Sequence, residues 1–381
     1  MKKKQIIGLL GCGTVGGGVD AIAAVHPDLE VRKILLLYPQ EGTEGRAVFD
    51  FADIENDPEI TVVAEAMGGV EPAFSYAVRA MKAGKHFVTA NKALIAAKGS
   101  ELIRTAEENG VTLRCTAAVG GGIPWLTSLT RCRELDTIRS LSGIMNGTTN
   151  YIMNAMHTQE ADFDEVLKKA QSLGYAEADP TADIDGWDTR RKLVISAAAA
   201  FDTLVDEEAV PMFGIRNVTA EDIKAFELFG RTCKLMAVAK FESGRLTAYV
   251  EPMLLPADTL EAAVPENFNL ITYDAEYFGT QSFYGQGAGR FPTAANIIRD
   301  CLDLPSAEPG FYTRRLQSGT VDNREEKHAY FVRTELEDWQ SRARSFGDGW
   351  VVTEPVSVAE MHAWAKEALE KDPRLMLAGI Q

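Results

Sequence analysis

Cysteine is scarce: Cys12, Cys115, Cys132, Cys233 and Cys301 are odd in number, scattered, and never in CxxC spacing. That excludes a disulfide framework and a cysteine zinc site, and it points to a reducing compartment, the cytoplasm. Histidine is as rare, and His26, His86, His157, His328 and His362 share no metal-ligand spacing. None is assigned a catalytic role. No apolar run approaches the ~20 residues of a membrane helix, and the run after the basic start, 6–10, is too short for a signal peptide. Positive charge is in deficit, with 39 Lys+Arg against 55 Asp+Glu and a formal net charge of −16. A polyanion would be repelled over most of the surface, so neither nucleic acid nor membrane is an expected partner. There is no internal repeat and no low-complexity segment.

The remaining composition, 46% apolar and 25% charged over 381 residues, is that of a globular protein long enough for about two domains. The first third alternates short apolar runs (5–10, 31–38, 61–65, 86–89, 111–116) with helical periodicity (73–83, 100–109), as βαβ units do. From about residue 141 helices follow one another (149–156, 163–173, 188–200, 220–229), then strand-like stretches (235–239, 247–252). The expected organisation is a dinucleotide-binding domain over 1–140 and a substrate-binding, dimerising α+β domain over 141–285. A glycine turn and helix over 286–303 return to the first domain, and 304–381 is an extension of unknown role. Within that extension strands are expected at 328–333 and 350–353, a helix at 357–370 and an apolar run at 375–380.

The stretch "IIGLLGCGTVGGG" (6–18) places Gly11, Gly13 and Gly16 in GxGxxG spacing directly after a strand and at the opening of a helix. The glycines permit a tight turn and close backbone approach, while the helix N-terminus offers N–H groups and a positive dipole end to a pyrophosphate. Alone the pattern is a common turn. Joined to the βαβ alternation it predicts a doubly wound, Rossmann-type parallel sheet that binds a dinucleotide. The second strand ends at Tyr38 and Pro39, with neither the acid that holds a ribose diol nor an arginine for a 2′-phosphate. Glu41 and Glu44 oppose such a phosphate and Arg46 favours one, so the cofactor is NAD or NADP, with a lean to NAD.

Seven stretches, "GLLGCGTVGGGV", "GGVEPA", "AGKHFVTANKALIA", "AAVGGGIP", "SGIMNGTTNYIM", "LGYAEADPTADIDGWDTRRKL" and "GQGAGRFPTA", occur in an order and spacing that resemble those of homoserine dehydrogenases over about residues 5–303. Such enzymes interconvert aspartate 4-semialdehyde and homoserine with NAD(P)H. The resemblance implies that reaction, a small amino-acid substrate, and cofactor contacts from Gly11, Gly13, Thr14, Val15, Gly16, Met67, Gly68, Thr89, Lys92 and Gly287. A homodimer or higher homo-oligomer is expected.

Reducing an aldehyde needs a hydride donor, a proton donor near the nascent alkoxide, and charges that fix the amino-acid end. In 173–193, Asp188 and Lys192 are four apart and share a helical face, and Glu177 in the preceding loop can fold back toward them. On its own this is equally an exposed ion pair beside a solvated acidic loop. The resemblance gives Lys192 the proton transfer, and Glu177 and Asp188 the substrate's ammonium end. Asp179, Asp183 and Asp185 are read as loop-shaping or solvent-facing. Lys92 follows a strand at the carboxyl edge of the parallel sheet, with Thr89 and Asn91 beside it, and the resemblance sets it between nicotinamide and substrate. Gly147 and Thr148 suit a hinge with hydrogen bonds to substrate, the alternative being a helix cap. Gly287 and Gly289 would let backbone approach the nicotinamide end, and Trp125 and Trp187 are read as core or lining.

Two departures stand out. The resemblance implies a monovalent cation held by the carbonyls of Val119, Gly121 and Ile123 and by an acid at position 116, but this chain has Thr116. Without the only formal countercharge, tight cation binding is not expected. The long regulatory ACT module of many relatives has no clear counterpart in 304–381. The rival readings are an oxidoreductase of the same architecture acting on a related hydroxy acid or semialdehyde, and a non-catalytic dinucleotide-binding regulator.

Overall fold

The structure, a computed structural model, describes residues 4–304, 316–347 and 349–381. It divides into two units. One comprises Met1–Leu135, Ala198–Leu204 and Gly285–Gln317, the other Asp136–Ala197, Val205–Tyr284 and Ser318–Gln381.

Six strands make the sheet of the first unit: β1 (Gln5–Leu10), β2 (Leu29–Leu35), β3 (Ala47–Val48), β4 (Val62–Glu65), β5 (His86–Thr89) and β6 (Leu113–Arg114). Their order is β3-β2-β1-β4-β5-β6, with every pair parallel. The chain builds outward from β1 on one side, then returns to β4 and builds the other way. The loops at the carboxyl ends of β1 and β4 therefore flank the crevice at which α/β sheets bind ligands. Helices on the sheet require apolar strands: Ile7, Leu9, Leu10, Val62, Val63 and Ala64 are fully buried. Val19 and Ala23 of α1 (Thr14–Val25) share one core cluster with β1 and β4, and Ala294, Ile297, Ile298 and Cys301, from a helix late in the chain (Arg290–Asp303), join it. β2 stops short of the expected 38, leaving Leu37 and Tyr38 exposed. The helix α2 (Ala73–Lys82) matches its periodicity, whereas α3 (Lys92–Glu108) starts earlier than 100 because Asn91 caps it, its side chain accepting from Leu94 N.

The second unit is built on a ten-stranded sheet. Its strands are β7 (Ile138–Ile144), β8 (Arg231–Glu242), β9 (Arg245–Pro256), β10 (Phe268–Ala275), β11 (Gly279–Gln286), β12 (Lys327–Arg333), β13 (Ala343–Phe346), β14 (Trp350–Thr353) and β15 (Met376–Ile380), with the two-residue strand Val356–Ser357 beside β12. They run in the order β11-β10-β7-β8-β9-β15-β12-β14-β13. Four of these strands, β7, β10, β11 and β13, were not expected. β11 is an edge strand with mostly exposed side chains, so it carries little hydrophobic signal. The unit starts at Asp136 rather than 141, where the Asp136 carboxylate accepts from Tyr277 N at 2.9 Å and Phe278 N at 2.8 Å and closes the β10–β11 turn. After β7 come α4 (Gly147–Gln159), α5 (Phe163–Ser172) and α6 (Trp187–Phe201).

Residues beyond 318 extend this sheet. β15 runs parallel to β9 and antiparallel to β12, so the chain's last strand is inserted between them. At that seam Glu251 of β9 is fully buried and accepts from His328 and His362, each at 2.7 Å, and from the Tyr330 hydroxyl at 3.3 Å. Burial pushes its carboxyl up, but the two imidazoles outweigh it and hold the group below its ordinary range. No helix among the described residues is long and apolar enough to cross a membrane.

Candidate active site

In the first unit β1 ends at Leu10 and the chain turns through Gly11 at φ +85°, a region side chains rarely adopt. Thr14 is exposed at the head of α1 and Val15 packs on the core. A Cβ on Gly16 would lie 2.1 Å from the Gly11 carbonyl oxygen, and one on Gly18 2.7 Å from that of Arg290. Glycine inside a helix costs roughly 1 kcal/mol relative to alanine, and here this close approach requires it. The first turn of α1 carries neither an acid nor a side-chain cap, which leaves its N–H groups and dipole to an anion. The loop fits a pyrophosphate.

The neighbouring loops are organised by Glu65, the last residue of β4, which is fully buried. One carboxylate oxygen accepts from Met67 N at 2.6 Å and Gly68 N at 3.0 Å, and the other from the Thr89 hydroxyl at 2.5 Å. Thr89 Oγ1 accepts from Asn91 N at 2.8 Å, and Asn91 Nδ2 donates to Gly69 O at 2.5 Å. One acid thus ties the loop after β4 to the loop after β5, and Lys92, half-buried at the first position of α3, is set by both. Glu65 was absent from the sequence reading, although a lone acid ending an apolar strand is a legible signal. Arg46 donates to both oxygens of Asp20, at 2.5 and 3.0 Å.

In the second unit the charges of 173–193 separate into two groups. Arg190 stacks on the Trp187 ring at 4.3 Å and pairs with Glu208 at 2.9 Å, and Arg191 pairs with Glu207 at 3.1 Å. Asp185 takes Arg216 through both oxygens, at 2.7 and 2.9 Å, and Asp179 accepts from Thr181 N at 3.0 Å. These shape the loop. The other group converges: Lys192 Nζ lies 2.7 Å from Asp188 Oδ2 and donates to Met145 O at 2.7 Å. Asn146, the cap of α4, donates through Nδ2 to Asp188 at 2.8 Å and to Asp183 at 2.7 Å.

Asp188 and Lys192 are only 5% and 7% exposed, which rules out the solvated surface pair. Asp183 is corrected from solvent-facing: burial, and then the charge of Asp188, push its carboxyl above the ordinary value. Neither Asp183 nor Asn146 was singled out from sequence, because nothing local says that residues 146, 183 and 188 meet. Glu177 is exposed, and among the described residues its carboxylate makes no hydrogen bond. Gly147 opens α4, where a Cβ would lie 2.6 Å from Asn267 O, and the Thr148 hydroxyl donates to Tyr175 O at 2.5 Å.

The loop through Val119, Gly121 and Ile123 lies in the first unit. Thr116 donates through Oγ1 to Asp300 Oδ1 at 2.6 Å and through its N–H to Oδ2 at 2.9 Å. Burial pushes Asp300 up to about 7. Asn296 Nδ2 donates to the carbonyls of Gly121 and Ile123, two of the three oxygens assigned to a cation. With no acid at 116 and an amide on two of the carbonyls, the residues present do not fit the ion. Gly287 is buried against this loop: a Cβ on Gly121 would lie 2.6 Å from its carbonyl.

A family profile described as "Homoserine dehydrogenase" matches residues 124–302, and one described as "Homoserine dehydrogenase, NAD binding domain" matches residues 11–116. The chain is 40% identical over 310 residues to a homoserine dehydrogenase of Bacillus subtilis, covering 78% of this chain and 72% of that protein. It is 42% identical over 315 residues to that of Corynebacterium glutamicum, covering 78% and 71%. Among solved structures, a homoserine dehydrogenase from Thiobacillus denitrificans superposes with a TM-score of 0.88 at 30% identity, covering 100% of this chain and 98% of that one. A hyperthermophilic archaeal homoserine dehydrogenase in complex with NADPH shares the fold, with a TM-score of 0.69 at 23% identity over 81% and 99%.

Proposed function

The chain belongs to the homoserine dehydrogenase family, and from that premise we propose how its own residues serve the NAD(P)-dependent interconversion of L-aspartate 4-semialdehyde and L-homoserine. The observation that carries the reading is the buried Asp188–Lys192 pair joined to Asp183 by Asn146.

The Gly11–Gly16 loop, with Met67, Gly68, Thr89 and Gly287, would hold the nicotinamide cofactor, which when bound would supply the hydride. Lys192 handles the proton. Of its three ammonium hydrogens two have acceptors, Asp188 and Met145 O, and the third is left for the substrate oxygen. In reduction it donates to the developing alkoxide, and in oxidation it takes the alcohol proton back. Asp188 positions it. Asp183 and Glu177 receive the substrate's ammonium, whose positive charge offsets the repulsion between Asp183 and Asp188. Thr148, whose hydroxyl donates to Tyr175 O, shapes the pocket with Gly147.

Cofactor choice follows from Arg46. Tied to Asp20, it brings no unpaired charge to a 2′-phosphate, so discrimination is modest and leans to NAD. The compartment is read as the cytoplasm. A homodimer is favoured by the exposed aromatics beside edge strand β11, Tyr277, Phe278 and Tyr284, and sedimentation equilibrium checks it. Homoserine oxidation followed by absorbance with NAD and NADP in parallel tests the whole. Turnover with both cofactors is expected, with a ratio below about 150-fold, the worth of one charge-assisted contact. Equal turnover of alcohols lacking the amino group would transfer the assignment to a related hydroxy-acid enzyme.

A further inference from the structure

Asn296 and Asp300 are four apart on the helix Arg290–Asp303 and so share a face. That face meets the loop 116–123 twice. Asp300 receives both the hydroxyl and the N–H of Thr116, while the Asn296 amide donates to Gly121 O and, at 3.3 Å, to Ile123 O. Two carbonyl acceptors demand the donor end of the amide, which settles its orientation. Its two hydrogens match the two oxygens.

A cation would need the same oxygens at about 2.3–2.6 Å from one point, and the nitrogen already lies within hydrogen-bond reach of both. The amide satisfies them without stripping an ion of its water. We propose that Asn296 replaces the monovalent cation in this chain, its amide closing the 119–123 loop while Asp300 anchors the start of that loop through Thr116.

The loop in turn supports the glycine turn: Gly122 N donates to Gln286 O at 3.2 Å, and Gly121 sits against Gly287. Asn296 is therefore a positioning residue for the cofactor side. Only this kinetic consequence rests on the reading of Gly287 given above.

The test exchanges sodium or potassium chloride for N-methylglucamine chloride at constant ionic strength, reading initial rates, cofactor KM and melting temperature. Wild type is expected to be indifferent on all three. Asn296→Ala should raise cofactor KM about 2- to 10-fold, the worth of the lost hydrogen bonds, while leaving turnover at saturating cofactor near wild type. Asn296→Asp removes the donor and adds a carboxylate facing the carbonyls. Its melting temperature should rise with sodium or potassium and not with N-methylglucamine, as binding to the folded state requires. Activation or thermal stabilisation of wild type by a small cation would overturn the proposal, as would an Asn296→Ala variant with unchanged cofactor KM. The melting arm stands even if the chain fails to oxidise homoserine, so the two readings fail separately.

Discussion

The Gly11–Gly16 loop and the Asn146–Asp183–Asp188–Lys192 cluster are built for charge by opposite means. The loop offers backbone N–H groups and a helix dipole, and every residue it needs lies within a few positions in sequence. The cluster offers three titratable side chains and one amide from three separate segments, held in one buried network in which Asn146 bridges two carboxyl groups. A backbone site is sensitive to added volume and indifferent to side-chain charge. A side-chain network is sensitive to any change of charge or length, because an unpaired buried ion is expensive.

Breaking the network at its reacting end has the largest expected effect. Lys192→Met should lower turnover by about 10²-fold or more, in line with general acid–base catalysis, with cofactor KM unchanged. Near-normal turnover would move the proton to Lys92. The converse lesion is Gly16→Ala. Its Cβ would meet the Gly11 carbonyl at 2.1 Å, and overpacking of that kind costs about 1–3 kcal/mol. Cofactor KM should rise, and the melting temperature fall, with little change in homoserine KM at saturating cofactor. Parallel losses in both KM values would erase the contrast.

Glu177→Gln sharpens the comparison within the acidic group itself. Glu177 is exposed in the unliganded chain, so its loss should be felt only when ammonium is bound. A rise in homoserine KM of about tenfold is expected, from one charge-assisted contact, against little change for an alcohol without the amino group. Equal shifts would show that Glu177 does not read the ammonium.

The smallest effect is a pH dependence. Because burial and Asp188 raise the Asp183 carboxyl above 3.8, the folded chain holds its proton where the unfolded chain has lost it. That contribution to stability is full below the unfolded value and is lost as pH rises through the raised folded value. Asp183→Asn keeps the neutral form throughout, so its melting temperature relative to wild type should climb across that interval. Homoserine should oppose the wild-type loss, since its ammonium favours ionised Asp183. A melting difference independent of pH would remove Asp183 from the titrating cluster.

Local pattern was enough wherever the determinants are contiguous. The βαβ alternation, the GxGxxG turn and the i,i+4 relation of Asp188 and Lys192 are properties of short windows, and chain connectivity enforces them. Even in the tail the strands at Lys327–Arg333 and Trp350–Thr353 and the helix Val358–Lys371 were legible as local periodicity. Their destination was not: β15 lies between β9 and β12 because a buried Glu251 meets His328 and His362, partners far apart in the chain. The strands β7 and β11 were missed for a related reason, since a short alternating run and an edge strand bury too little apolar surface to announce themselves.

The sequence by itself determined the parallel sheet, the glycine turn that opens α1 and the presence of a lysine–carboxylate pair, since each rests on residues close together in the chain. Folding decided which charges matter. In 173–193 it sent Arg190, Arg191 and Asp185 to structural partners and turned Asp183 inward, and elsewhere it brought Asn296 to Gly121 and Asp300 to Thr116. These outcomes depend on which groups are removed from water together, and burial is a property of the packed chain that no short window of sequence contains.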